Sequence, residues 1–224
     1  MEWLFLAVAL LLSYLLGSVP TSVIVGRIFF NLDIREHGSG NAGATNAFRV
    51  LGPGAGTACI IVDVGKGAAA VFIAALFPTA PIAPLLVKLL AGTAAVAGHM
   101  WTIFAQFRGG KGVGTAAGML LAIYPVSLLI AVGVFLVVAV ATGYVSLGSI
   151  TGALAFPVIA VTLSATGVRE MEPALLIVTV PIALLIVYRH RTNLRRLLRG
   201  EENRFQKLML FRRLFARGGH RPPE

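Results

Sequence analysis

A glycine-rich segment in the first quarter of the chain contains residues whose types and spacing suggest a binding role. In HGSGNAGATN, residues 37–46, Gly38, Gly40 and Gly43 follow the pattern G-x-G-x-x-G of dinucleotide-binding loops. That pattern is specific only between a strand and a helix, and the preceding chain contains a long apolar run instead. Exposed backbone N–H groups can still converge on an anion, so we expect Gly38 and Gly40 to bind phosphate without a nucleotide fold.

A second glycine-rich segment, RGGKGVGT, covers residues 108–115 and adds cations. Arg108 and Lys111 could hold a phosphate together with the glycine N–H groups, as Arg49 could beside the first segment. Gly112 stands where a P-loop would have the Ser or Thr that holds magnesium, so an ATPase site is disfavoured. Two such loops predict two phosphate-sized anions or one large anion. The alternative is that the glycines serve only turns and close packing.

Two shorter polar segments contain further candidates. YRHRTN, residues 188–193, contributes His190 and Asn193, and YVSLGS, residues 144–149, contributes Ser146. None of the polar segments carries a convergent set of carboxylates or histidines, so we predict no metal ion.

Ionisable residues also occur inside apolar stretches, where they suggest either function or mutual pairing. Asp63 and Lys66 are three positions apart and can face the same side of a helix, and both roles stay open for them. His99, in AGHMW, is expected to contact substrate, with a structural hydrogen bond as the alternative. Lys88 is typical of a side chain that reaches back to the membrane interface, and Cys59 of a small packed hydrophobe.

The composition of the chain indicates which kind of secondary structure holds these residues in place. Of 224 residues, 57% are hydrophobic and 12% are charged, against about 25% charged in soluble domains, and the mean hydropathy is +0.87. The apolar runs are too long for strands, and a single cysteine excludes a disulfide framework and a multi-cysteine zinc site. The sequence therefore predicts an all-α, polytopic membrane helical bundle.

Seven apolar stretches predict about seven transmembrane helices, or five if two short stretches and one neighbour are counted differently. The first run begins Met1-Glu2 and exceeds a signal-peptide core, so we expect it to stay uncleaved, with a kink at Gly17 and Pro20. The two short stretches meet at Tyr124-Pro125 and are interpreted as half-depth helices or one broken helix. The stretches are residues 3–26, 54–77, 82–104, 115–124, 126–141, 145–166 and 174–188.

Lys and Arg concentrate in alternate loops and in the tail. Residues 189–224 contain eleven Arg or Lys against three Glu, a net charge of +8. The positive-inside rule places the amino terminus outside and the carboxyl terminus and the polar segments in the cytoplasm. We expect residues 1–205 to form the membrane domain and residues 206–224 a basic tail. Its partner is predicted to be anionic membrane lipid and not nucleic acid, because no nucleic-acid module accompanies the charge.

Three of these segments resemble the signature motifs of the acyl-phosphate:glycerol-3-phosphate acyltransferases, the PlsY family. They are GSGNAGATNAFRVLG, GHMWTIFAQFRGGKGVGT and YRHRTNLRRLLRGEENRF, and the similarity runs from LLGSVPTS to about Phe205. The family transfers a fatty acyl group from acyl phosphate to the 1-hydroxyl of sn-glycerol 3-phosphate, which gives lysophosphatidic acid and phosphate. The resemblance implies this step of phospholipid biosynthesis, in a bacterial inner membrane with a cytoplasm-facing site, by a monomer without a cofactor.

The resemblance also implies roles for particular residues. The first motif is similar to the family's phosphate-contacting loop, and the second resembles its second phosphate cradle. The residues expected to act on the reacting groups are Ser39, Arg49, Lys111, His190 and Asn193. Those expected to bind substrate are Gly38, Gly40, Asn41, Thr45, Asn46, His99, Gly109, Gly110, Gly112 and Ser146.

An acyl phosphate is a mixed anhydride with an activated carbonyl, so we expect direct attack by the glycerol hydroxyl without a covalent enzyme intermediate. Cations and N–H groups would stabilise the developing charge. His190 and a substrate phosphate oxygen both stay open as the proton acceptor, with the phosphate preferred. A phosphate-ester or anion transporter is the alternative class, but it requires polar residues at the midplane and on both faces, whereas here they crowd one face.

Overall fold

The computed structural model describes residues 1–77 and 82–205, and every regular element in these ranges is helical. The prediction of an all-α fold is confirmed. Two short 3₁₀ helices cover Ile34–Glu36 and Ile103–Ala105. The α-helices are α1 (Glu2–Gly17), α2 (Thr21–Phe30), α3 (Ala44–Val50), α4 (Pro53–Ala74), α5 (Pro84–Met100), α6 (Val113–Ile123), α7 (Pro125–Thr142), α8 (Val145–Ala165), α9 (Pro173–Arg189) and α10 (Arg191–Leu198).

The first apolar run forms one interrupted span. α1 ends at Gly17 and α2 begins at Thr21, and together they cover 29 residues, enough to cross a bilayer. The interruption lies where the sequence predicts it, because Pro20 has no N–H to donate and restricts the residue before it. A Cβ on Gly17 would overlap the backbone of Ala95, so α1 and α5 cross in close contact.

Fewer segments are long enough to cross a membrane than the seven apolar stretches of the sequence suggest. Five segments are long and apolar enough to cross a membrane, and α9 with α10, bent by 54°, makes a sixth candidate. α6 has 11 residues, roughly 16 Å of helix, so it covers about half of the hydrocarbon thickness. Of the two stretches predicted to be short, only α6 is, because α7 has 18 residues. The total of seven and the orientation of the termini stay predictions.

α4 packs against α1, α5 and α6, and glycines allow its closest contact. A Cβ on Gly67 of α4 would overlap the carbonyl of Thr115, and a Cβ on Gly118 of α6 would overlap the carbonyl of Val64. Small residues let the two helix backbones approach in this way. The start of α6 is thereby fixed against α4, and with it Lys111, two residues earlier.

The last described residues return to the bundle and cover one of its turns. We call residues 201–205 the C-terminal strap. Phe205 N–H donates to Gly143 O (2.9 Å) at the turn between α7 and α8. Arg204 Nε donates to the Tyr144 hydroxyl (2.8 Å). The strap therefore brings its own side chains to the end of the bundle that carries the glycine loops. The predicted basic tail, residues 206–224, lies outside the described residues.

Candidate functional site

The first glycine loop, residues 37–43, is held in shape by Asn46 in α3. Asn46 Oδ1 accepts a hydrogen bond from Ser39 N–H (2.9 Å). Its Nδ2 donates to Ile34 O (3.1 Å) and to His37 O (3.0 Å). The amide is buried and uses its oxygen and nitrogen within the loop. Asn46 therefore shapes the loop that presents Ser39, and its expected contact with substrate stays a prediction.

Arg35, just before this loop, forms an ion pair with Asp33 and a hydrogen bond to the segment between α5 and α6. Gly38 and Gly40 have φ of +62° and +72°, a region that favours glycine, and they follow closely after Asp33 and Arg35. Arg35 donates to Asp33 Oδ2 (2.6 Å) and also to Ala105 O (3.0 Å). Hydrogen bonds from Arg35 outweigh burial and hold the pKa of the Asp33 carboxyl well below its usual range. Arg35 therefore connects the residues just before the first glycine loop to the residues just before the second.

The second glycine loop, residues 109–112, is held from two sides. Arg189 Nη2 donates to Gly110 O (2.8 Å) and to Met100 O (3.3 Å). Gly110 N–H donates to His99 O (3.0 Å), and a Cβ on Gly110 would overlap the imidazole of His99. This N–H is therefore engaged within the protein, and close packing, the alternative offered for the glycines, operates here.

The neighbouring glycines of this loop are under similar constraints. A Cβ on Gly109 would overlap the carbonyl of His99, and Gly112 has φ of +81°. Their geometry is required whether or not their N–H groups bind phosphate, so phosphate binding by this loop stays a prediction.

His99 belongs to a buried network inside the bundle. Its Nδ1 lies 3.4 Å from Asp63 Oδ1, which also pairs with Lys66 Nζ at 2.8 Å. The Thr21 hydroxyl donates to the same oxygen (3.3 Å). The side chains of Asp63, Lys66 and His99 are at most 7% exposed. The structure thus contains the mutual pairing that was one of two roles left open for Asp63 and Lys66. His99 likewise makes a structural contact, with Asp63, which was the alternative to a contact with substrate.

Lys111 belongs to a second network, beside the glycine loops. Its Nζ donates to Asn193 Oδ1, and Asn193 Nδ2 donates to Glu202 Oε1 (2.6 Å). The Ser146 hydroxyl donates to the same carboxylate oxygen (2.8 Å), and Arg196 Nε donates to Oε2 (2.7 Å). Three residues predicted from separate segments, Lys111, Asn193 and Ser146, are therefore connected through one carboxylate.

That carboxylate belongs to Glu202 of the C-terminal strap, a residue that the sequence motifs do not predict. Its side chain is 5% exposed, and the acidic residues after Gly200, which has φ of +72°, are the only sequence signal for it. Burial raises the pKa of Glu202, but hydrogen bonds from Asn193, Arg196 and Ser146 outweigh burial and hold that pKa below its usual value. Glu202 is therefore a buried anion that orients the donors around it.

The ammonium of Lys111 lies in an unfavourable environment for a cation. Its pKa is lowered from the ordinary value of 10.5 to about 8, chiefly by burial. The Glu202 carboxylate opposes this decrease, and the charges of nearby arginines contribute to it. An anion beside Lys111 would relieve this cost, because an opposite charge stabilises the charged form.

A cavity of about 210 Å³ opens beside the Lys111 network. Four of its lining residues are cations and none carries a carboxylate, so its field favours an anion. Arg189, Arg191 and Arg196 escape sequence prediction because they belong to a long basic segment typical of lipid contact. The lining residues are Ser39, Gly40, Asn41, Lys111, Arg189, Arg191, Thr192, Asn193 and Arg196.

Several predicted residues do not line this cavity. The Arg49 guanidinium lies 5.2 Å from the ring centroid of Phe205, and burial lowers the pKa of Arg49. His190 is 3% exposed, and its Nδ1 lies 2.8 Å from Ile186 O. A proton on Nδ1 would leave Nε2 of His190 as an acceptor. Thr45 lies in the first turn of α3, outside the cavity wall.

The groups around the cavity can bind and orient phosphate esters. Guanidinium and ammonium donors form strong charge-assisted hydrogen bonds to phosphate, and Ser39 and Thr192 add hydroxyls. The single thiol, Cys59, is fully buried elsewhere. Within residues 1–77 and 82–205, no group of three or more His, Cys, Asp or Glu could hold a metal ion. The expectation of a metal-free site stays a prediction.

Comparison with known proteins agrees with the three motifs. The family described as Glycerol-3-phosphate acyltransferase matches residues 7–200. The glycerol-3-phosphate acyltransferase of Chlorobium phaeobacteroides (strain BS1) is 47% identical to this chain, over 89% of this chain and 96% of its own length.

Two crystal structures of PlsY (YgiH), an integral membrane glycerol 3-phosphate acyltransferase, share this fold at 34% identity. The glycerol 3-phosphate form has a TM-score of 0.80 and covers 92% of this chain and 98% of that one. The lysophosphatidic acid form has a TM-score of 0.76 and covers 89% and 95%. With the family match over almost the whole membrane region, this chain belongs to the glycerol-3-phosphate acyltransferase (PlsY) family of integral membrane enzymes.

Proposed function

We propose that this acyltransferase takes its acyl group from acyl phosphate and transfers it to the 1-hydroxyl of sn-glycerol 3-phosphate. The products are 1-acyl-sn-glycerol 3-phosphate and inorganic phosphate. The observation that carries the proposal is the cavity lined by four cations and no carboxylate. PlsY (YgiH) has crystal forms named for glycerol 3-phosphate and for lysophosphatidic acid, which are the acceptor and the product of the proposed reaction.

The phosphates of the two substrates occupy the positive end of the bundle in this proposal. Lys111 and Arg191 contact phosphate directly, and the Ser39 loop presents its backbone and hydroxyl to the same cavity. Asn193 orients Lys111, and Glu202 orients Asn193. Preorganised donors of this kind stabilise charge that develops in the transition state, because the protein has already oriented them.

Transfer proceeds in one step, without an acyl-enzyme. The hydroxyl oxygen of glycerol 3-phosphate attacks the carbonyl carbon of acyl phosphate, the bond from that carbon to the phosphate oxygen breaks, and phosphate leaves with the electron pair. A mixed anhydride carries its own leaving group, so no enzyme nucleophile is needed. The burial of Cys59 supports this choice.

The hydroxyl proton goes to a substrate phosphate oxygen in this mechanism. His190 is buried, contacts Ile186 O through Nδ1, and is not part of the cavity wall. The pH–rate profile of His190→Gln tests this assignment. An unchanged profile with a raised KM supports the phosphate as acceptor, and loss of an ionisation from kcat/KM would identify His190 as the base.

The reaction takes place at the cytoplasmic face of a bacterial inner membrane in this proposal, as a step of phospholipid biosynthesis. Most of the described basic residues lie at the end of the bundle that carries the cavity, with Lys88 and Arg169 at the other end, as the positive-inside rule expects if this end is cytoplasmic. Glycerol 3-phosphate would reach the cavity from water, and the acyl chain would lie along the apolar helices. We also propose that the enzyme acts as a monomer.

The deciding experiment compares donors with the purified full-length protein in detergent. Acyl phosphate, acyl-CoA and acyl carrier protein are each supplied with glycerol 3-phosphate, and phosphate release and lysophosphatidic acid are measured. We expect turnover with acyl phosphate alone, unchanged in the presence of a chelator. Turnover with either thioester would overturn the donor assignment, and no turnover with any donor in the absence of a gradient would favour a transporter.

A further inference from the structure

The end of the bundle opposite the catalytic cavity contains a second, larger cavity. The catalytic cavity lies at the carboxyl end of α9 and beside the loop that joins α5 to α6. The second cavity lies at the start of α5, the end of α6 and the start of α9. Each of these helices therefore has one end at each cavity. α5 and α9 have 17 residues each, so the two cavities are separated by about 25 Å of helix.

The second cavity exists because α6 is shorter than the helices beside it. α6 rises roughly 16 Å, against about 25 Å for its neighbours, so its last turn leaves a gap between α5 and α9. The cavity measures about 420 Å³, within the range of small-molecule sites. Tyr124, which is 6% exposed, is among its lining residues. Leu85 and Ile123 add apolar walls.

Two cations and one carboxylate line this cavity: Lys88, Arg169 and Glu172. Arg169 stacks over the Tyr124 ring (4.6 Å to the centroid) and donates to Ile123 O (3.3 Å). This contact uses one of the five N–H donors of a guanidinium. In the described parts of the chain, neither cation forms a salt bridge, with Glu172 or with any other carboxylate. The charges are held near each other and are not neutralised by pairing.

The surroundings indicate a lipid and not a soluble ion. Leu121 and Val168, which precede residues of the cavity wall, are 42% and 67% exposed, as expected of side chains that face acyl chains. The cavity also lies at the starts of α5 and α9, which belong to candidate membrane spans, and the ends of such spans are where lipid headgroups are expected. Basic pockets between transmembrane helices are a recurrent kind of headgroup site.

We propose that this cavity binds the headgroup of a zwitterionic phospholipid from the leaflet opposite the catalytic site. Its phosphate contacts Lys88 and Arg169, and its primary ammonium contacts Glu172. The occupant is thus a phosphoethanolamine-type headgroup. Its role is to fill the gap above α6 and hold the far ends of α5 and α9 together. Neither the phosphate nor the ammonium takes part in acyl transfer.

The test is binding of short-chain lipid to the purified, delipidated full-length protein, measured by native mass spectrometry. Dioctanoyl phosphatidylethanolamine, dioctanoyl phosphatidylglycerol and inorganic phosphate are the probes. We expect phosphatidylethanolamine to bind most tightly. Lys88→Gln and Glu172→Gln should each weaken it about tenfold, the size expected for one lost hydrogen bond to a charged group.

Control variants test whether weaker lipid binding comes from this site, from a change in net charge, or from loss of folding. Arg199→Gln removes one positive charge, as Lys88→Gln does, but on an exposed residue at the other end of the bundle. It should bind the lipid as the wild type does. Lys88→Arg should retain binding if the charge is what matters. The Lys88 and Glu172 variants should keep the acyl-transfer rate within about twofold, since these side chains lie at the far end of the bundle from the catalytic cavity. Arg199→Gln should also keep this rate, since Arg199 is exposed and lines neither cavity.

Three results would overturn the proposal. Equal affinity of wild type and Lys88→Gln for phosphatidylethanolamine would exclude the cavity as its site. Equal affinity for phosphatidylglycerol would exclude recognition of the ammonium. Inorganic phosphate that binds as tightly as the lipid, and that Lys88→Gln removes, would identify a site for a free anion. None of these results depends on the donor used by the enzyme.

Discussion

Two networks in this protein combine a lysine, a carboxylate and polar neighbours, and they are built differently. In the bundle interior, Lys66 contacts Asp63 directly at 2.8 Å. Beside the cavity, the amide of Asn193 stands between Lys111 and Glu202. A direct ion pair neutralises its lysine, whereas an intervening amide leaves the lysine's charge for a ligand. The comparison distinguishes a structural lysine from a lysine that can bind substrate.

The strongest test of this contrast removes the charge that faces the cavity. Lys111→Gln should lower kcat/KM for acyl transfer by about 10³-fold, the upper range for loss of one preorganised donor in an active site. Thermal stability should change little, because burial already disfavours the ammonium. Arg199→Gln is the control and should stay near the wild-type rate. Activity of Lys111→Gln within threefold of wild type would contradict the assignment.

The corresponding change in the interior network should act on stability. Asp63→Asn leaves the Lys66 ammonium buried without its partner, which typically costs about 3–5 kcal/mol. We expect a lower unfolding temperature in detergent. The protein that remains folded should bind glycerol 3-phosphate with nearly normal affinity. A stable Asp63→Asn protein with a large rise in KM would instead make Asp63 part of the substrate site.

A smaller effect is expected when the connection between Lys111 and the strap is weakened. Glu202→Gln keeps the shape of the side chain but removes the charge that supports Lys111 and pairs with Arg196. The loss in kcat/KM should be about tenfold, equivalent to about 1.4 kcal/mol. The pKa of Lys111 should fall further, so the alkaline limb of the pH–rate profile should move to lower pH. An unshifted limb would show that Glu202 does not act through Lys111.

The mildest perturbation is pH itself. The pKa of Lys111 lies at about 8, so its ammonium is charged below that value and is lost as pH rises through it. A phosphate monoester is already close to dianionic above pH 7, since its second pKa is about 6. The kcat/KM for glycerol 3-phosphate should therefore fall above about pH 8, because this ratio reports the free enzyme. Lys111→Arg should abolish this fall in whatever activity it retains.

The sequence reveals the parts of the site that lie in unusual loops. Glycine clusters and isolated polar residues stand out in a chain that is otherwise apolar, so Ser39, Lys111 and Asn193 can be recognised before any fold is known. Their encounter is also predictable, since basic segments collect on one membrane face. The all-α fold follows from composition in the same way.

Residues whose roles depend on distant backbone contacts escape prediction. In the sequence, Glu202 is one acidic residue among many cations. Its inward position becomes visible only in the structure, through the hydrogen bonds from Ser146 and Asn193 and the return of the strap to Gly143. In the sequence, Arg189 looks like part of a basic tail, but in the structure its guanidinium donates a hydrogen bond to Gly110 O. The sequence alone does not decide that α6 reaches only half of the membrane depth. A short apolar stretch fits either a helix of that depth or one part of a longer, broken helix.

The position of Glu202 in chain order has a consequence for biosynthesis. It follows the seven predicted apolar stretches and every helix of the described residues, so a growing chain can deliver these helices to the bilayer before the last member of the Lys111 network exists. Translation therefore separates membrane insertion from the acquisition of activity. A nascent chain that stops before residue 202 would be embedded in the membrane yet unable to assemble the complete Lys111 network.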